Sequence, residues 1–99
     1  MAQIRWTEQA LNDVENIAEF IAKDSERYAQ IQVLRFFDAT VILSDKPRAG
    51  RIVPELNKIN IREIILGNYR IIYKIVSGEL IHILTIHHSA RILRIKTQK

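Results

Sequence analysis

Cysteine is absent from this chain of 99 residues, which removes disulfide frameworks, thiolate zinc sites and thiol nucleophiles. That composition suits a reducing compartment, and the cytoplasm is the expected location. Glycine occurs only three times and never as the clustered loop that cradles phosphates, and no serine sits in a nucleophile elbow. No stretch approaches the ~20 apolar residues of a membrane span. The opening MAQIRWTEQALNDVENIAEF scatters charges where a secretory signal needs an apolar run. The expectation is a chain neither inserted in a membrane nor exported by such a signal. Repeats and low-complexity segments are missing too.

What is present is enough for one core: 47% of the residues are hydrophobic, and the length fits a single domain over residues 1–99. Charge is unevenly placed. Residues 1–50 hold six basic against eight acidic side chains, and residues 51–99 hold nine basic against three acidic, giving formal charges of −2 and +6. The basic half points to an anionic partner, either nucleic acid or an acidic protein.

The short alternation Gln3 to Trp6 reads as a first strand, with Thr7 placed to cap a helix. From Glu8, apolar residues at Ala10, Leu11, Val14, Ile17, Ala18 and Ile21 stripe one helical face, while Glu8, Asp13, Glu15 and Glu19 cover the other. Asp24 or Ser25 caps a second helix to about Leu43, whose main face runs through Tyr28, Ala29, Ile31, Leu34, Phe37, Ala39, Val41 and Ile42. Phe36 lies off that face, and burial against the first helix is expected for it and for Ile42, whereas exposure of either would mark a partner site. Pro47 closes the helix, and Pro54 confines 52–56 to an edge strand or loop.

Residues 61–91 then read as a three-strand meander turning at Gly67-Asn68 and Ser77-Gly78. Alternation sets Tyr69, Ile71, Tyr73 and Ile75 against Arg70, Ile72, Lys74 and Val76, with the Arg70 and Lys74 face expected to be the wetter. In the last strand Ile81, Ile83 and Thr85 alternate with His82, Leu84 and Ile86, which places it inside the sheet. Residues 92–96 would add an edge strand or helical turn. The predicted fold class is α+β: a short N-terminal strand, a two-helix hairpin, then a three- to four-stranded antiparallel sheet with the helices on one face.

His87 and His88 are adjacent on a strand, so their rings point to opposite faces, and no carboxylate lies at ligand-like spacing. Neither a metal nor a cofactor is predicted. The residue types that remain suit RNA cleavage, in which cations stabilise charge on phosphate while a titratable group moves the proton. Arg62, Arg70, Lys74, His87, His88 and Arg91 are the candidates. Each has an ordinary alternative: Arg62 pairing with a helix carboxylate, Lys74 solubilising the sheet, His82 as a satisfied half-buried histidine.

The segments WTEQALNDVENIAEFIA, GRIVPEL, IREIILGNYRIIYKI and ILTIHHSAR, in this order and spacing, resemble the RelE/ParE superfamily of toxin-antitoxin toxins over residues 4–93. The resemblance implies a small cytoplasmic toxin neutralised by a cognate ParD-like antitoxin, acidic and partly disordered. RelE-like members, ribosome-dependent messenger-RNA endonucleases, carry an arginine directly after the histidine of the last motif and a tyrosine a few residues on. This chain has Ser89 and Leu93 there. The form His88-Ser89-Ala90-Arg91 is similar instead to the ParE branch, which implies inhibition of DNA gyrase by contact, without a catalytic centre. Arg62, Arg70, Arg91 and Arg94 are then the expected partner contacts. The alternatives are a metal-independent endoribonuclease using Arg70, His87 or His88 and Arg91, or a non-toxic remnant that only binds antitoxin.

Overall fold

Two hydroxyl caps start the two helices. In this computed structural model, which describes residues 1–89, Thr7 accepts from the Ala10 amide at 3.2 Å and opens α1 (Glu8–Ala22). Ser25 accepts from the Tyr28 amide at 3.1 Å and opens α2 (Glu26–Thr40). A 3-10 turn, Val41–Ser44, continues from α2, so the regular helix ends before the expected Leu43. Five strands follow the order β1 (Gln3–Trp6), β2 (Arg51–Ile52), β3 (Ile61–Leu66), β4 (Tyr69–Ser77) and β5 (Leu80–His88) in the chain. In space the sheet runs β1-β5-β4-β3-β2.

That topology corrects the expected all-antiparallel sheet of three or four strands. β1 pairs parallel with β5, Ile4 opposite Ile81 and Trp6 opposite Ile83, so the two ends of the described chain lie side by side. A four-residue strand carries no signature of its partner, and only the long return of the chain reveals it. The remaining neighbours are antiparallel, as expected, and β5 is interior. The first hairpin turns at Gly67-Asn68, where Gly67 takes a φ of 57° that a side chain would resist. The second turns at Gly78-Glu79, one residue later than expected.

Both helices lie on one face of the sheet, as expected. Their Ala10, Val14 and Phe36 join Leu43, Ile71, Tyr73, Ile81, Ile83 and Ile86 in the main core. The expected main face of α2 is corrected. Phe36 is fully buried, edge-on to Tyr69 with ring centroids 5.1 Å apart, while Leu34, Val41 and Ile42 are exposed. The buried row is Ala29, Gln32, Phe36 and Thr40, a three-and-four spacing masked by its two polar members. Thr40 satisfies its hydroxyl on the Phe37 carbonyl at 2.8 Å. In α1, Leu11 is likewise nearly half exposed rather than part of the buried stripe.

On the other sheet face a smaller cluster joins Val53, Ile61 and Ile72, with Leu56 and Leu84 against it. The face expected to be wet is therefore closed over Ile72 and Arg70, both buried. A register shift in β5 passes from Ile72 opposite Thr85 to Tyr73 opposite Ile83, which breaks simple alternation and puts Ile86 with Ile83 in the main core. The expected element over 92–96 lies outside the described residues.

Candidate functional site

Arg70 is the centre of a charge cluster built on the second sheet face. Its register partner on β3 is Ile65, so the Glu63 carboxylate two residues along is its diagonal neighbour. Arg70 donates through Nε to Glu63 at 2.6 Å, and through both terminal nitrogens to Glu55 at 2.7 and 2.8 Å. Arg51, directly across from Glu63 in the β2 and β3 register, donates to the other Glu63 oxygen at 2.6 Å. Glu63 is thus fully enclosed between two guanidinium groups, and Glu55 fixes the loop after β2 to the strand beneath it. A pair of carboxylates converges on this basic sheet, and both members are bound to arginine.

The electrostatics follow from that geometry. Its bond to Arg70 holds the Glu55 carboxyl down at about 2, well below its ordinary value. Hydrogen bonding to Glu55 and then Glu63 raises Arg70 further above the range of any proton donor at neutral pH. A side chain that is 10% exposed and bound to two carboxylates is not placed to reach the phosphate of a bound nucleic acid.

Among the described candidates only His87 sits directly beside Arg70 in the sheet. Arg62 lies three residues from Ile65 along β3, opposite Tyr73, and its guanidinium donates to the carbonyls of Ile59 and Gly50 at 3.0 Å and to that of Arg48 at 3.5 Å. It ties two loops together and forms no ion pair with a helix carboxylate, which corrects the alternative considered for it. His87 is the register partner of Arg70, and the His88 ring stands edge-on to Tyr69 at 5.5 Å. Lys74 is half-buried opposite Ile61. Arg91 and Arg94 lie outside the described residues. Among the described residues no group of three His, Asp or Glu side chains could hold a metal ion.

A second feature is a groove of about 600 Å³ between the two helices. Ala18, Ala22, Ala29 and Val33 form its floor and Leu34 its wall, while Glu19, Glu26 and Gln30 stand at the rim. The small alanine side chains are what leave the space. Leu34 is 68% exposed, Phe20 and Tyr28 add further exposed apolar surface to the same helices, and Val41 adds more on the 3-10 turn that follows. The sequence does not single out this lining, because alanine at helical spacing reads equally as core.

Comparison with known proteins places this geometry. The family model describing the ParE toxin of type II toxin-antitoxin system, parDE, matches residues 4–93. The chain is 35% identical over 92 residues to a protein named Toxin RelE2 from Caulobacter vibrioides, covering 93% of this chain and all of that relative. A solved structure described as the chromosomal ParDE TA system from P. aeruginosa is similar in fold, with a TM-score of 0.73 and 21% identity, over 89% of this chain and 96% of that one.

Proposed function

This chain belongs to the ParE family of toxins from type II toxin-antitoxin systems, and on that premise we propose that it inhibits DNA gyrase by protein contact and is held inactive by an antitoxin seated between its helices. The observation that carries the reading is the burial of Arg70 between Glu55 and Glu63. A toxin that cuts RNA needs exposed cations on the scissile phosphate, and here the sheet's central arginine is spent on holding the fold. With Ser89 after His88 the chain also lacks an arginine at that position. A contact inhibitor needs only a surface, and Arg62 supplies positive charge for one; Arg91 and Arg94 lie outside the described residues. Arg70 supports that surface from below rather than forming it.

For the antitoxin, the groove defines the chemistry of its occupant. An amphipathic helix with small or apolar side chains on one face would fill the space above Ala18, Ala22 and Ala29. Glu19 and Glu26 at the rim favour lysine or arginine on that helix, even if the antitoxin is acidic elsewhere.

One observation favours a second reading. The 35% identical relative carries the name RelE2, which keeps messenger-RNA cleavage as the alternative. A paired assay separates them. Purified toxin is added to gyrase with supercoilable plasmid, and separately to translating ribosomes carrying a defined message. Loss of supercoiling or accumulation of cleaved plasmid, with the message intact, is the expected result; cut message with normal supercoiling overturns the gyrase reading.

A further inference from the structure

One end of the domain gathers cations that the charge cluster does not neutralise. The segment from Lys46 to Arg62 carries five basic side chains and one acidic, Glu55, which is bound to Arg70. Arg51 is paired with Glu63, but Lys46, Arg48, Lys58 and Arg62 form no ion pair with any described carboxylate. Asp45 and Glu79 flank this end and also stay beyond ion-pair distance.

These cations are held together by the fold. Arg62 bonds the Gly50 and Arg48 carbonyls on one side and the Ile59 carbonyl on the other, so it draws the 46–50 loop and the turn carrying Lys58 to the start of β3. Tyr73 fixes the same loop from beneath, donating to the Pro47 carbonyl at 2.7 Å and accepting from the Gly50 amide at 2.9 Å. Lys46 and Arg48 line one open cavity, while Arg62 is half-buried and bonded to three carbonyls. Of the large apolar side chains that are exposed, only Ile59 falls between residues 46 and 62. This end therefore offers a partner positive charge around a shallow cavity whose other walls are Pro47, Ala49 and Ile75, whereas the helical groove is rimmed by carboxylates.

We propose that this end is a docking surface for the phosphodiester backbone of duplex DNA, bound without sequence preference through Lys46, Arg48, Lys58 and Arg62. A duplex presents regularly spaced, permanently charged phosphates, and its recognition needs no apolar pocket. An acidic peptide would use apolar anchors as well, and those are displayed on the helices. The biological setting rests on the gyrase reading, in which the DNA is the segment held by the enzyme, but the binding does not.

The test uses full-length, antitoxin-free toxin and a labelled duplex, followed by fluorescence anisotropy as KCl is raised from about 50 to 200 mM. Four phosphate contacts give a log-log slope of about −3.6, from about −0.9 per neutralised phosphate. The variant carrying Lys46→Gln, Arg48→Gln and Lys58→Gln changes only exposed side chains and should keep its melting temperature. Its slope should fall to about −1 and its duplex affinity at low salt by on the order of tenfold or more. Arg48→Gln alone, with a slope change of about 1, provides the same reading if the triple variant folds poorly. Unchanged duplex binding in these variants overturns the proposal. So does a stronger preference for single-stranded RNA, which would assign the surface to a message, or a loss of antitoxin binding in place of duplex binding. Duplex binding as expected, beside a wild-type protein that leaves gyrase untouched, upholds this inference and sinks the gyrase reading alone.

Discussion

Tyr73 shows how much of this molecule turns on one side chain. It is fully buried in the main core, yet its hydroxyl is the only described side-chain group holding the Pro47 carbonyl and the Gly50 amide. Replacing it by Phe keeps the ring and strands both backbone groups, at a cost of about 1–3 kcal/mol in denaturant unfolding. Burial raises its pKa above the ordinary 10.0, so the folded state holds the proton more tightly than the unfolded chain. The stability this contributes is complete below about pH 10 and is lost as pH rises through the folded value. Wild type should therefore lose stability above pH 10 faster than the Tyr73→Phe variant. Gly50 completes the contact: a Cβ there would stand 2.5 Å from the Glu63 carbonyl and 2.7 Å from the Tyr73 hydroxyl, so Gly50→Ala should cost about 1–3 kcal/mol by crowding alone. Glu55 obeys the opposite sign. Its carboxyl is lowered from 4.5 to about 2, so its contribution is present above pH 4.5 and disappears as pH falls towards 2. Glu55→Gln should flatten that acid limb and cost only about 1 kcal/mol at neutral pH, since a side chain 44% exposed is well screened. Unequal acid limbs of the two proteins are the readout, and identical ones would refute the pairing.

At the scale of elements, α1 meets β5 through its Thr7 cap, which donates to the Ile83 and Leu84 carbonyls, and through one carboxylate further along the helix. Asp13 accepts from the Ile86 amide at 3.0 Å and from the Thr85 hydroxyl, at the point where the strand's register shifts. Asp13→Ala should cost about 1–3 kcal/mol and speed hydrogen exchange at Ile86, with little change at Ile71 in the neighbouring strand. Sequence showed Asp13 only as part of the polar side of α1, because a helix pattern records which side is wet and not which wet residue meets a neighbour. The same limit explains the rest of what was and was not legible. Helix starts at Thr7 and Ser25, the hairpin at Gly67 and the burial of Tyr73 follow from local chemistry, and the structure has them. The parallel β1 and β5 pairing, the burial of Phe36 in place of Leu34, and the Arg70 cluster all depend on which distant element arrives. Arg70 was visible as a cation, but its meaning was set by Glu55 and Glu63, fifteen and seven residues away. An Arg70→Ala change should leave Glu63 enclosed with one partner instead of two and cost about 3–5 kcal/mol, so any loss of toxicity would come with a lowered melting temperature.

For the molecule as a whole, two different surfaces stand out: an apolar groove with an acidic rim on the helices, and an uncompensated basic end beside β2 and β3. These surfaces respond to salt in opposite ways, because burial of apolar area is barely screened whereas exposed charge is screened within about 10 Å at 0.1 M. An antitoxin that binds only the folded toxin raises its unfolding free energy by mass action, about 2.7 kcal/mol at a hundredfold excess over Kd. If the helical groove is its seat, scanning calorimetry of the complex should show nearly the same rise in melting temperature at low and at moderate salt. Leu34→Glu, which alters a side chain 68% exposed at the groove wall, should leave the free toxin's melting temperature unchanged and remove most of that rise. A rise that instead collapses with salt, and survives Leu34→Glu, would move the antitoxin from the groove to the basic end. It would then compete there with any polyanion the toxin binds, and adding duplex DNA to the complex would release free toxin.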